Sequence, residues 1–261
     1  MIIILNNITN YFRGEEVKDK IKTLLKELKM NSALEHFDSS LKQYNDRESF
    51  ILSLLEIESR QRNIRSVQRK ITQADFPLDR EWSMIDEKRN PCINFNEIKV
   101  LSNGKFVEEK RNVCFVGAPG IGKTHSAVSI GKDLCRKGIG VKCYTASDLV
   151  TALEEAKQKG ELSKLMIKLM KPKLLLIDEL GFVPFSDNGA RLLFDIFSKR
   201  YEHGSIMVTT NLAFNKWPSI FGSIELTAAL IDRFTHKCDI FVYKGDSVRF
   251  FESQKRNTKA K

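Results

Sequence analysis

Residues 117–124 read Gly117-Ala118-Pro119-Gly120-Ile121-Gly122-Lys123-Thr124, a full match to the pattern G-x-x-x-x-G-K-S/T. Glycines at these places let consecutive backbone N–H groups curl around an anion with no Cβ in the way. The lysine reaches the β- and γ-phosphates of a nucleotide, and the threonine hydroxyl serves a Mg2+ ion. The helix that follows points its positive end at the phosphates. Such a pattern arises by chance in roughly one chain in a hundred of this length, so its surroundings decide. Val113-Cys114-Phe115-Val116 before it is an apolar run suited to a buried strand. After it, Thr124 to Arg136 has helical spacing.

Further apolar runs follow at Gly140 to Tyr144, Leu174 to Ile177, Ser205 to Thr210 and Cys238 to Val242, with helical patterns between them, including Ala190 to Tyr201. Strands alternating with helices predict an α/β fold with a mainly parallel five-stranded sheet covered on both faces. Ligands in such sheets bind beyond the carboxyl ends of the strands. Upstream, residues from about 15 to 75 read as helical. Ile21, Leu24, Leu25 and Leu28 recur at three- and four-residue spacing, as do Phe50, Leu54, Leu55 and Ile57. The first proline is Pro77, and the pattern weakens from there to Gly104. A boundary near residues 76–90 divides a small all-helical domain, residues 1–78, from a nucleotide-binding domain, residues 79–261.

Hydrophobic residues make up 42% of the 261-residue chain, enough to bury a sizeable core. No stretch reaches the roughly 20 apolar residues that span a bilayer. The apolar opening Met1-Ile2-Ile3-Ile4-Leu5 lacks a basic flank and is short for a signal peptide. A cytoplasmic protein without a membrane partner is expected. The five cysteines (Cys92, Cys114, Cys135, Cys143, Cys238) form no Cys-x-x-Cys pair, and the four histidines (His36, His125, His203, His236) form no ligand pair. The net charge of +10 is unevenly spread: 19 Lys/Arg against 18 Asp/Glu in residues 1–110, but 24 against 15 in residues 111–261. A basic nucleotide-binding half is expected to meet a second polyanion, and nucleic acid is the usual one.

Three more stretches bear on chemistry. Leu174-Leu175-Leu176-Ile177-Asp178-Glu179 is an apolar strand that delivers two carboxylates, 54 residues beyond Thr124. Asp178 suits the Mg2+ shell and Glu179 suits polarising the attacking water. Val208-Thr209-Thr210-Asn211 ends another strand in an amide that could bond the γ-phosphate or the lytic water, or serve as a turn former. Ile231-Asp232-Arg233-Phe234 lies on the last predicted helix. Arg233 could reach a neighbouring subunit's γ-phosphate or simply sit on the helix surface.

With these motifs, the chain resembles the IstB-like ATP-binding proteins, AAA+ helper ATPases of bacterial insertion sequences, from about Ile21 to Phe250. The most specific stretches are GAPGIGKTH (Gly117 to His125), DELGF (Asp178 to Phe182), TNLAFNKW (Thr210 to Trp217), LTAALIDRFTH (Leu226 to His236) and GDSVR (Gly245 to Arg249). The resemblance implies an AAA+ P-loop ATPase that binds ATP through Gly117 to His125. Lys123 and Thr124 serve phosphate and Mg2+, Asp178 holds the metal and Glu179 is the general base. Asn211 is a sensor, Arg233 a finger into the next subunit, and Arg249 a further phosphate-facing residue. It also implies assembly on duplex DNA with ATP, as a ring or helical homo-oligomer, and recruitment of a transposase. Val248 stands where the family has an aromatic, and Ser126 where it has an apolar residue. Only 28 residues follow Arg233, too few for the full helical lid of the broader AAA+ class.

Two basic stretches are candidate DNA contacts. Residues 148–171 hold two helical segments (Asp148 to Lys157 and Glu161 to Lys171) with Lys157, Lys159, Lys164, Lys168 and Lys171, the last three on one helix face. Such lysines bind phosphates without sequence preference and with steep salt dependence; a merely solvated face is the alternative. Arg62, Arg65 and Arg69 share a helical face in residues 60–70, suited to DNA or to an acidic partner surface. The rival functions are a replicative helicase loader with the same core, a P-loop small-molecule kinase, and a non-hydrolysing binding module, against which Glu179 argues.

Overall fold

The structure, a computed structural model, describes residues 2–87 and 93–244, with residues 2–14 as backbone alone. The chain divides into two compact units, Met1–Gln68 and Arg69–Lys261.

The first unit is helical: α1 (Ile2–Glu27), α2 (Asn31–Gln43) and most of α3 (Arg47–Ala74). The continuous helical reading of residues 15–75 is broken twice, at 28–30 and 44–46. Neither break carries glycine or proline. Lys29 takes the left-handed φ of 55° at the first, and at the second the Asp46 carboxylate accepts the Ser49 N–H at 2.7 Å, capping α3. Leu25, Ala33, Phe37 and Leu54 form a small core, with Phe37 edge-on to Phe50 at 5.4 Å. The first turn of α2 has no side-chain cap of its own. Glu58, 3% exposed on α3, supplies one instead, accepting the N–H groups of Ser32 (3.0 Å) and Ala33 (3.2 Å). Arg62 Nε donates to Glu58 at 2.6 Å, its Nη2 reaches the carbonyls of Leu28 and Lys29, and Arg65 donates to Ser32 Oγ at 3.1 Å. Two arginines that the sequence offered to DNA thus hold the turn between α1 and α2.

The second unit continues with α4 (Phe95–Val100) and α5 (Lys105–Glu108), short helices not read from the sequence. Then come β1 (Asn112–Gly117), α6 (Lys123–Arg136), β2 (Val141–Thr145), α7 (Ala146–Gln158), α8 (Leu162–Met170), β3 (Leu174–Leu180), α9 (Asp187–Arg200), β4 (Ser205–Thr210), α10 (Pro218–Phe221), α11 (Ile224–Thr235) and β5 (Cys238–Tyr243). The five strands form one parallel sheet in the order β2-β3-β4-β1-β5. Residues alternate between its faces, as the two-residue period of a strand requires. Val113, Phe115, Leu174, Leu176 and Met207 pack with α6, together with Ala74 and Phe106. Cys114, Leu175, Ile177, Ile206 and Val208 pack with α7, α8, α9 and α11. Trp217, fully buried, lies 6.0 Å from the stacked ring of Phe234 and 4.9 Å from Phe214. Arg200, 1% exposed, donates to the carbonyls of Leu169, Pro172, Lys173 and Ser205, tying the ends of α8 and α9 to the starts of β3 and β4. Cys92, Val248 and Arg249, the chain beyond Lys244 and hence the question of a lid lie outside the described residues.

Burial alone would raise the Glu58 carboxyl's pKa. The hydrogen bonds from Arg62, Ala33 and Ser32 outweigh it and hold the carboxyl below its ordinary value. Its stabilising contribution is therefore complete above the unfolded glutamate value, about 4.3, and is lost as pH falls through the lower folded value. Glu58→Ala should cost about 1–3 kcal/mol at neutral pH and speed amide exchange at Ser32 and Ala33. Unchanged exchange at those two amides would exclude the cap.

Candidate nucleotide site

The strand order determines what can meet. β4 lies between β1 and β3, so the loop leaving β1 and the carboxylates ending β3 flank the end of β4. The loop turns through left-handed glycines, Gly120 at φ 79° and Gly122 at φ 104°, where a side chain would be strained. A Cβ on Gly117 would stand 2.5 Å from the backbone oxygen of Tyr243 on β5, so this glycine is required by close approach. Ile121 is 1% exposed and anchors the loop in the core beside α6.

Lys123, 8% exposed on the first turn of α6, donates from Nζ to the carbonyls of Gly117 and Ala118, 2.7 Å each. The Thr124 hydroxyl donates to Asp178 Oδ1 at 2.9 Å. Asp178 is 3% exposed. Thr209 also donates to that oxygen, and the Glu179 N–H donates to Thr209 Oγ1 at 3.0 Å. Glu179 itself is exposed and has the left-handed φ of 58°. It lines one cleft with Pro119, Gly120, Lys123, Thr124, Thr209 and Asn211. An ionised carboxylate beside a hydroxyl is an oxygen pair of the kind Mg2+ takes. With the glycine cradle and the helix terminus, the residues fit a magnesium nucleotide.

Other residues named from the sequence stand elsewhere. His125 points away from the loop, donating from Nε2 to the Glu81 carbonyl at 2.8 Å. Burial holds its pKa below the ordinary histidine value. Arg233 is exposed, hydrogen-bonded to Ser198 and stacked over Phe194 at 5.1 Å, both on α9. Lys164, Ile167 and Lys168 are exposed on α8, with Ile167 72% exposed, and exposed Lys171 caps the helix. Lys164 pairs with Glu161, Lys159 with Glu155, and Lys157 with Asn188. Arg69 is exposed on α3.

Sequence reading missed a strap ahead of β1. Asp79 and Glu81 both pair with Lys132, a lysine only 5% exposed on α6. Glu81 also pairs with Arg136 at 2.7 Å, and Trp82 Nε1 donates to Asp133 at 2.8 Å. Lysine at an inward position of α6 was the available signal. Among the described residues no cluster of three or more His, Cys, Asp or Glu could hold a metal, and no helix is long and apolar enough to cross a membrane.

The profile of the IstB-like ATP-binding proteins matches residues 23–257. The ATP-binding protein of insertion sequence IS5376 from Geobacillus stearothermophilus is 37% identical over 212 residues, 81% of this chain and 84% of its own length. Its counterpart in IS21 from Pseudomonas aeruginosa is 31% identical over 240 residues, covering 90% and 91%. Among solved structures, the DnaC helicase loader matches with a TM-score of 0.51 at 26% identity, over 57% of this chain and 87% of its own.

Replacing Lys123 by alanine removes a charge-assisted donor from the loop, so affinity for ATP should fall roughly ten- to hundredfold. Titration with a fluorescent ATP analogue measures it. Binding as tight as that of the unaltered chain would move the nucleotide elsewhere.

Proposed function

Because the chain belongs to the IstB-like ATP-binding protein family, we propose that it is an ATPase that assembles on duplex DNA with ATP and there recruits and stimulates a transposase. The supporting observation is the convergence of Lys123, Thr124 and Glu179 on one cleft, with Asp178 bonded to Thr124, in a chain whose relatives are named for insertion sequences. In this reading ATP lies along residues 117–125, with Lys123 against its terminal phosphates. Mg2+, held by Thr124 and Asp178, supplies positive charge to the phosphate oxygens. Glu179 takes the proton of the attacking water, the γ-phosphorus is attacked in line, and ADP leaves. Asn211 bonds the γ-phosphate or that water.

Arg233 serves the neighbouring copy's site rather than its own, which makes a ring or helical homo-oligomer part of the mechanism. Arg233 is exposed, and its hydrogen bond to Ser198 and its stack on Phe194 both fall on α9, consistent with a finger presented outward. The helical residues 1–78 serve self-assembly or docking. DNA phosphates meet the Lys164, Lys168 and Lys171 face of α8, where Lys168 and Lys171 have no carboxylate partner among the described residues. Arg62 and Arg65 are engaged within the helical unit, which leaves α8 as the better DNA surface. A second reading, delivery of a replicative helicase, draws on the likeness to the DnaC loader. That likeness covers 57% of the chain, against 90% for the IS21 protein, and the transposition reading is preferred.

Glu179→Gln should lower DNA-stimulated ATP turnover about a hundredfold or more while the protein stays on DNA with ATP bound. Hydrolysis at the unaltered rate would overturn the general-base assignment. Capture of the cognate transposase, rather than the replicative helicase, by the trapped assembly separates the two readings. Lys168→Gln with Lys171→Gln should reduce the salt slope of DNA binding by about 2; an unchanged slope would remove α8 from the interface.

A further inference from the structure

The two carboxylates that end β3, Asp178 and Glu179, stand next to each other in sequence but differ in burial and conformation, and one side chain touches the side chain of the first and the backbone of the second. Thr209 lies on β4, is 1% exposed, and faces Phe115 across to β1. On its other side the register with β3 slips. Ile177 pairs with Val208 and Leu180 with Thr210, so Asp178 and Glu179 together oppose Thr209 alone. This is a β-bulge, one residue longer on β3 than on β4.

A threonine hydroxyl has one proton and two lone pairs. An ionised carboxylate only accepts, and a backbone N–H only donates, so both directions are fixed. The proton of Thr209 goes to Asp178 Oδ1, and a lone pair receives the Glu179 N–H at 3.0 Å. Thr124 donates to the same Asp178 oxygen at 2.9 Å. One buried hydroxyl therefore fixes the rotation of the Asp178 carboxylate and the backbone of Glu179, whose N–H the bulge has removed from the ladder.

Resting on the ATPase reading above, we propose that Thr209 is the positioning residue of the site. Through one hydroxyl it holds the Asp178 carboxylate for the cation and the Glu179 main chain for the attacking water. It acts through these neighbours, to which its proton and one of its lone pairs are committed. Valine has nearly the same shape but neither hydrogen bond; serine keeps both.

The test compares Thr209→Val and Thr209→Ser in the full chain. Readouts are kcat, the KM for ATP, the Mg2+ concentration that half-saturates binding of a fluorescent ATP analogue, and thermal melting. The valine variant should lose roughly ten- to hundredfold in kcat, with KM for ATP within about threefold and a Mg2+ requirement raised several-fold. The serine variant should recover kcat to within about threefold. Equal behaviour of the valine variant and the unaltered chain would overturn the assignment, and so would a serine variant as impaired as valine, because serine keeps both hydrogen bonds. If the valine variant does not fold, amide exchange in the unaltered chain still decides, since the Glu179 N–H should be strongly protected and rapid exchange would overturn the proposal. An unaltered chain without ATPase activity would overturn the ATPase reading instead, while Mg2+ titration of binding and the Glu179 amide would still judge Thr209.

Discussion

One oxygen atom organises the cleft: Asp178 Oδ1 accepts hydroxyl protons from Thr124 and from Thr209. These donors come from the helix after β1 and from β4, and the acceptor ends β3. Three segments distant in sequence are thereby held at one point, which only the order β3-β4-β1 permits. A buried carboxylate without such donors would be costly, because burial removes the water that would otherwise solvate it. The bonds that make Asp178 tolerable at 3% exposure also fix it beside the glycine loop. Stability and chemistry therefore have the same source here.

The strap of residues 79–82 applies the same physics to α6, the helix that presents Lys123. A lysine buried as deeply as Lys132 is acceptable only with partners. Burial alone would lower its pKa, but Asp79 and Glu81 outweigh that and hold it above the ordinary lysine value. Arg136 and Asp133 extend the network to Trp82 and Ser102, and His125 adds a bond from the first turn of α6 to Glu81. The helix is thus gripped along its length from outside the sheet, while its own Ala127 and Ile130 pack in one core cluster with Phe115 and Leu176 of the sheet. A phosphate entering the loop would exchange the Gly117 and Ala118 carbonyls for anionic oxygens at Lys123 Nζ, a local substitution that leaves this anchored helix in place.

The sheet was legible because its inner strands β1, β3 and β4 are short runs with apolar residues on both faces, and because glycine, lysine and threonine at fixed spacing have few other uses. Asp178 and Glu179 stood out for a related reason: an apolar run ending in two carboxylates is common, but here it follows the glycine loop by 54 residues. The turns at Lys29 and Asp46 were not, because their signals are a single left-handed residue and a cap inside a helical pattern, with no glycine or proline to mark them. Arg62 and Arg65 looked like a solvent or DNA face because, apart from Glu58 one turn before Arg62, their partners are backbone carbonyls and a serine 33 or 34 residues away, a separation that helical periodicity cannot register. Short α4 and α5 fell in a stretch of mixed polarity, where Asn94 and Glu97 were the one capping pair to read. Thr209 was visible only as a β-forming residue, since its role depends on which strand lies beside it.

The bulge explains why the second carboxylate is free for chemistry. In an unbroken strand, residues 175, 177 and 179 would share one face. Instead Leu175, Ile177 and Leu180 share it, a change of parity that one extra residue produces. Glu179 is that residue, ejected from the ladder toward the cleft while Leu180 returns to the core. A left-handed conformation costs a residue with a Cβ about 1–2 kcal/mol, and an N–H left without a partner costs about 1–3 kcal/mol more. Glycine would remove the first cost but also the carboxylate; the Thr209 hydroxyl removes the second and leaves the carboxylate. The strain that remains is comparable to a single hydrogen bond, small enough for the surrounding buried strands to hold, and it is what separates the buried Asp178 from the exposed Glu179 at adjacent positions.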